Sequence, residues 1–109
     1  MILYNVTVKV DGNVADEWLQ WMREHHVIDV LRTGLFLQAR ILRLMHQDDD
    51  DGGQTFAIQY SLPNEQALHQ YQREFAPKLQ KEHTERYDGK FVAFRTVLQT
   101  IEEYNVKHH

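Results

Sequence analysis

The chain contains no cysteine, which excludes disulfides, thiolate nucleophiles and cysteine-ligated zinc outright. Proline and glycine are scarce, at two and five residues, and neither a glycine-rich phosphate loop nor a nucleophile elbow occurs. Basic residues are outnumbered, with 12 Lys and Arg against 16 Asp and Glu, for a net charge of −4 with His neutral. No basic stripe is visible, so neither nucleic acid nor an anionic membrane is expected as a partner. No apolar run reaches the roughly 18 residues that would cross a bilayer. The opening MILYNVTVKV lacks a basic n-region and a small-residue cleavage site, and so does not resemble a signal peptide. These absences lead to the expectation of a cytoplasmic protein, in which the glycosylation triplet Asn5-Val6-Thr7 is accidental.

Metal chemistry has little support either. Histidines stand at 25, 26, 46, 69, 83, 108 and 109 without an HExxH pattern. The run Asp48–Asp51 lacks the spacing and terminal Glu of an EF-hand loop, and its like charges suit a solvated turn. No metal and no cofactor is expected.

What is present suits one globular domain over residues 1–109, since 42% of the chain is hydrophobic and 26% charged. A domain of this length buries roughly 65% of its unfolded surface, enough for a real core. Ile2 to Val10 alternates as a strand, with Ile2, Tyr4, Val6, Val8 and Val10 on one face. Asp11-Gly12-Asn13 turns the chain, with Asp11 or Asn13 available as a helix N-cap. A second strand is expected from Leu35 to His46, of ambiguous facing, and a third from Gln54 to Leu62. Pro63-Asn64-Glu65 opens a helix with Pro at an early position. Its stripe is Ala67, Leu68, Tyr71 and Phe75, and a kink or restart is expected at Ala76-Pro77. Leu79, His83 and Tyr87 continue the stripe. Asp88-Gly89 leads into a last strand from Lys90 to about Ile101, and residues from about 102 or 103 to 109 form a frayed tail. Right-handed crossovers with this element order give a ferredoxin-like βαββαβ fold, an antiparallel sheet of order 4-1-3-2 with both helices on one face.

The stretch WLQWMREHHVIDVLRTGLF, Trp18 to Phe36, carries the chemistry. At about 100° per residue, Val14, Ala15, Trp18, Trp21 and Met22 share an arc. His25 falls well inside it and His26 at its edge, while Val27 and Leu31 land opposite. The regular helix is therefore expected to end near His25 or His26, with a short further turn to about Arg32 before Thr33-Gly34 stops it. Opposite the helices, the second sheet face is read as Asn5, Thr7, Lys9, Thr55, Ala57, Gln59, Ala93, Arg95 and Val97. Half polar and half apolar, it suits burial against a second copy in a homodimer.

With the QARILRL strand that follows, the Trp18–Phe36 stretch resembles the dimeric α+β barrel superfamily. That group includes antibiotic-biosynthesis monooxygenase-like, stress-responsive Dabb-like and EthD-like proteins. YNVTV, HHVIDVLRTGLF, AIQY, EFAPKLQKEH and FVAFRTVL are similar, more closely, to a bacterial family of unknown function within it. The resemblance implies the fold, a sheet-to-sheet homodimer, and a ligand cleft between helices and sheet bordered by His25 or His26, Tyr4 and Tyr60. It implies no catalytic residue.

Convergence of large aromatic walls with a few polar handles extends the candidate ligand-binding set to Tyr4, Trp21, His25, His26, Phe36 and Tyr60. Tyr71 is a further hydroxyl, and Arg40 or Arg95 would meet a carboxylate. Three functions remain open. One is a small homodimeric protein binding an apolar or aromatic molecule between helices and sheet. Another is a cofactor-independent monooxygenase or isomerase using a helix-end His. The third is a structural or regulatory homodimer without ligand.

Overall fold

The first strand, β1, runs from Ile2 to Val10 and buries Ile2, Tyr4, Val8 and Val10, as its period-two pattern requires. The computed structural model describes residues 1–46 and 52–107; the run Asp48–Asp51 and His108-His109 lie outside the described residues. β1 is central, paired antiparallel with β3 (Gln54–Leu62) on one side and with β4 (Phe91–Gln99) on the other. β2 (Gln38–Arg43) pairs antiparallel with β3 and forms the far edge. The order β2-β3-β1-β4 is the expected 4-1-3-2 read in reverse, and the fold is ferredoxin-like.

One continuous helical rod links β1 to β2. It comprises α1 (Ala15–Trp21), a π-helical segment (Met22–His26) and α2 (Val27–Leu31). The rod does not break at the histidines, contrary to expectation. A π turn holds one residue more than an α turn, so the phase slips back by about 100°, one residue's rotation. Val27 and Val30, which regular helix geometry points away from the core, are thereby buried. Neither Asp11 nor Asn13 caps α1; Val14 holds that position without a side-chain cap, and its N–H bonds to the Asp11 carbonyl instead. The far end stops as expected. Thr33 Oγ1 donates to the Val30 carbonyl at 2.8 Å, and Gly34 adopts φ 80°, a left-handed conformation that glycine takes without strain.

The second crossover is α3 (Glu65–Glu74) and α4 (Ala76–Arg86). α3 opens within Pro63-Asn64-Glu65 as expected, but Pro63 precedes the cap and does not enter the first turn: Asn64 caps the helix, its Oδ1 accepting from the Ala67 N–H at 2.9 Å. The break falls where Pro77 predicts it, with Phe75 at φ −122° and Pro77 in the first turn of α4.

Two assignments change. β2 is shorter than Leu35 to His46, and Leu35 and Phe36 stay in the connection, with the Phe36 ring against Tyr60 and Tyr71. The facing of β4 is inverted. Arg95 lies opposite Val6 and Ala93 opposite Val8, so Ala93, Arg95 and Val97 face the helices. Val92, Phe94 and Leu98 project from the other face, opposite Lys9, Thr7 and Leu3. Hydrophobicity alone would bury those three residues; backbone pairing with β1 decides otherwise.

Between helices and sheet, Trp18 is fully buried, its ring 5.0 Å from that of Phe56 and its indole N–H 2.8 Å from Nε2 of His83. Trp18→Ala is expected to cost about 3–5 kcal/mol, the range for large-to-small core changes. Denaturant unfolding checks this, and a loss below about 1 kcal/mol would show that the helix packs through another face.

Candidate functional site

The π turn determines which histidine faces inward. Regular helix geometry puts His25 inside and His26 at the edge; the slipped phase reverses them. His25 is exposed. His26 lies against Trp21, ring centroids 5.2 Å apart, and against His83 at 5.7 Å. His83 reaches the same place from α4, where it occupies the apolar stripe between Leu79 and Tyr87. Phe91 of β4 meets it edge-on at 4.3 Å.

Hydrogen bonding fixes the state of His83. Its Nε2 accepts from the Trp18 indole, so the ring is neutral with its proton on Nδ1. Burial, reinforced by the neighbouring His26 and Arg95, lowers its pKa to about 4. His26 is lowered to about 4 as well, chiefly by burial, against a smaller opposing pull from Asp29. Its Nδ1 is buried and has no hydrogen-bond partner, a condition that costs free energy in a protein interior.

Three tyrosines continue the site across the sheet. Tyr4 of β1 lies 6.1 Å from Tyr60 of β3 and 5.9 Å from Tyr71 of α3. Burial raises all three phenols above their ordinary range, so they are neutral donors at physiological pH. Arg95 and Gln80 line the same cavity as Tyr4, and both oppose the rise that burial gives its phenol. Together Tyr4, His26, Tyr60, Tyr71, His83 and Arg95 surround a cavity of about 30 Å³, with Gln80 alongside and an apolar wall from Val6, Met22 and Ile58. That volume holds about two waters at the roughly 10–15 Å³ each needs.

The structure sorts the sequence candidates. Tyr4, His26, Tyr60 and Arg95 converge on the cavity, and Tyr71 joins them. Trp21 and Phe36 do not line it; they form a second layer, Trp21 behind His26 and His83, Phe36 behind Tyr60 and Tyr71. His25 points to solvent. Arg40 lies on the opposite sheet face, where it donates to Gln59 Oε1 at 2.6 Å, because β2 pairs Ala39 and Ile41 with the inward Tyr60 and Ile58. Gln80 and His83 were not among the candidates. A histidine within the Leu79–Tyr87 stripe was the available signal for His83; Gln80 had none. Among the described residues no three His, Asp or Glu side chains are grouped to hold a metal ion, and no helix is long and apolar enough to cross a membrane.

Residues 1–101 match a family described as a domain of unknown function, DUF4286. The chain belongs to that family. No curated protein matches this DUF4286 chain, but solved structures share its fold. A putative antibiotic biosynthesis monooxygenase from Deinococcus radiodurans superposes with TM-score 0.69 at 15% identity, over 99% of this chain and all of that one (100%). A dimeric ferredoxin-like protein from an uncultured marine organism gives 0.66 at 10% identity, covering 97% and 100%. An EthD family protein from Bacillus halodurans gives 0.62 at 12%, covering 93% and 100%. At such identities the likeness shows a common fold, and DUF4286 chemistry rests on its own residues.

Both inward histidines are harder to protonate folded than unfolded, from 6.5 down to about 4. Between those values the unfolded chain binds more protons, so stability rises with pH through this window and falls as the solution is acidified. Urea unfolding at pH 7 and pH 4.5 should differ by on the order of 3 kcal/mol, the pH 7 protein being more stable. Equal midpoints at the two pH values would show that His26 and His83 are solvated.

Proposed function

We propose that this DUF4286 protein is a cytoplasmic homodimer that binds a small apolar or aromatic molecule in the cleft between helices and sheet. The observation that carries the binding reading is the buried, unpartnered Nδ1 of His26 beside a cavity walled by phenol rings. A core selected for stability alone leaves few such groups, since each costs about 1–3 kcal/mol. The cavity as it stands admits only water. A larger guest requires Arg95 to swing away, and Arg95 is the exposed member of the lining, on an edge strand.

The dimer reading rests on the outer sheet face. Val92, Phe94 and Leu98 are 69%, 62% and 50% exposed, in line with Lys9, Thr7 and Leu3 of β1. Leu42 and Leu44 extend the apolar area at the other edge. Contiguous apolar surface of this kind marks an interface, and a second copy offers a face of matching composition. Asn5 fits the reading too. Its Oδ1 is buried and unpartnered, while its Nδ2 donates to Thr7 and Thr96.

A second reading has a specific support. A neutral His26 with a free Nδ1 could accept a proton from an activated carbon acid, as a cofactor-independent monooxygenase or isomerase requires. Ligand identity decides between binder and enzyme. A structural homodimer without ligand is what remains if nothing enters the cleft.

Two measurements test these readings. A fragment screen by NMR should move resonances of Tyr4, His26 and Tyr60, and His26→Ala should alter the response whereas His25→Ala should not. Shifts confined to the exposed tail, insensitive to both substitutions, would place the site elsewhere. Light scattering should give twice the 13.0 kDa of one chain, and Phe94→Glu should shift it towards a folded monomer. A wild-type monomer at micromolar concentration would rule out the dimer.

A further inference from the structure

We infer that the cleft recognises an organic anion, a carboxylate on a flat apolar body, held by Arg95 with the Tyr4 hydroxyl and the Gln80 amide. The inference rests on the ligand cleft proposed above and specifies what it takes.

The warrant is an imbalance of charge at the mouth of the cavity. Each element packed around the cavity contributes a facing group: Tyr4 from β1, Tyr60 from β3, Tyr71 from α3, Gln80 and His83 from α4, His26 from the π segment and Arg95 from β4. None is a carboxylate. Asp29 acts on His26 only through space and does not line the cavity. Among the described residues Arg95 makes no ion pair. Arg32, Arg73 and Arg86 do pair with carboxylates, Arg86 with Glu17 at 3.1 Å, whereas Arg40 and Arg43 donate to the neutral Gln59 and Gln54 and do not line this cavity. Arg95 instead shares the cavity lining with the neutral Tyr4, Tyr60 and Tyr71 phenols, which leave most of a guanidinium's five donors unengaged.

Geometry agrees with chemistry. Pairing with Val6 fixes the backbone of Arg95 on the helix-facing side of the sheet, so its side chain reaches the cleft rather than the outer face. A carboxylate would receive a bidentate fork from Arg95, with further donors in the Tyr4 hydroxyl and the Gln80 amide. The rings of Tyr4, Tyr60 and Tyr71 and the side chains of Val6 and Ile58 then offer apolar walls to the rest of the molecule. Movement of Arg95 towards the guest would both open the cavity and anchor the occupant.

Benzoate and benzamide are suitable probes because they share shape and differ in charge. Titrated into the full-length protein at pH 7 and followed by NMR, benzoate should bind at least tenfold tighter than benzamide, with shifts at Tyr4, His26 and Ala93. Arg95→Gln should remove that preference, and Arg95→Met, which keeps an aliphatic stem, should do the same. Arg95→Lys should retain part of it. Equal affinities in the wild type, or a benzoate preference that survives both neutral substitutions, would overturn the anion assignment. If benzamide still moves the cleft resonances, the aromatic-binding reading stands while the anion assignment fails. If neither probe reaches the cleft, both fail together.

Discussion

The hydrogen bond from the Trp18 indole to His83 is the contact on which the interior depends. It joins the first helical rod to α4 across the core, between two side chains far apart in sequence. An imidazole at 8% exposure without that donor would hold an unsatisfied nitrogen. With it, the ring is fixed in one neutral tautomer and becomes the hub of a ring cluster: Trp21, His26, Tyr87 and Phe91 all pack against it. The electrostatics of the cleft follow. Two neutral imidazoles and three neutral phenols leave Arg95, at the exposed edge of the cavity, as the formal charge among its lining groups.

The sheet divides the work between its faces through β4. This strand presents Ala93 and Arg95 to the helices and Val92, Phe94 and Leu98 to the outside. Both choices run against local hydrophobicity. An arginine turned inward and a phenylalanine turned outward are both costly in an isolated chain. They become consistent if the outer face meets another copy and the inner face meets a guest, since each departure is then offset by a partner.

Much of the fold was legible because it depends on short periodicities. β1 and β3 alternate cleanly, and Pro77 breaks the second crossover as its missing N–H requires. Tyr4 and Tyr60 could be placed because each lies on a strand whose burial pattern is unambiguous. Two features were not legible for the same reason: neither is local. The facing of β4 is set by register with β1, and both of its faces carry apolar residues, so alternation cannot choose between them. The choice between His25 and His26 depends on a π turn, and no residue type marks that turn in MREHH. His83 escaped as a site residue because one His in a helical stripe reads as core until its distant indole partner is known.

The π turn also has a consequence for alignment with other chains of this fold. A wide helical turn is what remains when a regular helix takes in one extra residue and neither half gives up its packing. Trp18 and Met22 keep their places before the seam, and Val27 and Val30 keep theirs after it. The adjacent histidines at that seam divide accordingly, His26 turned inside and His25 to the surface. A relative with an unbroken α-helix would be one residue shorter here and would need a single histidine. Aligning it with this chain requires the gap to fall between Trp21 and His26, and a gap placed elsewhere would match the wrong histidine.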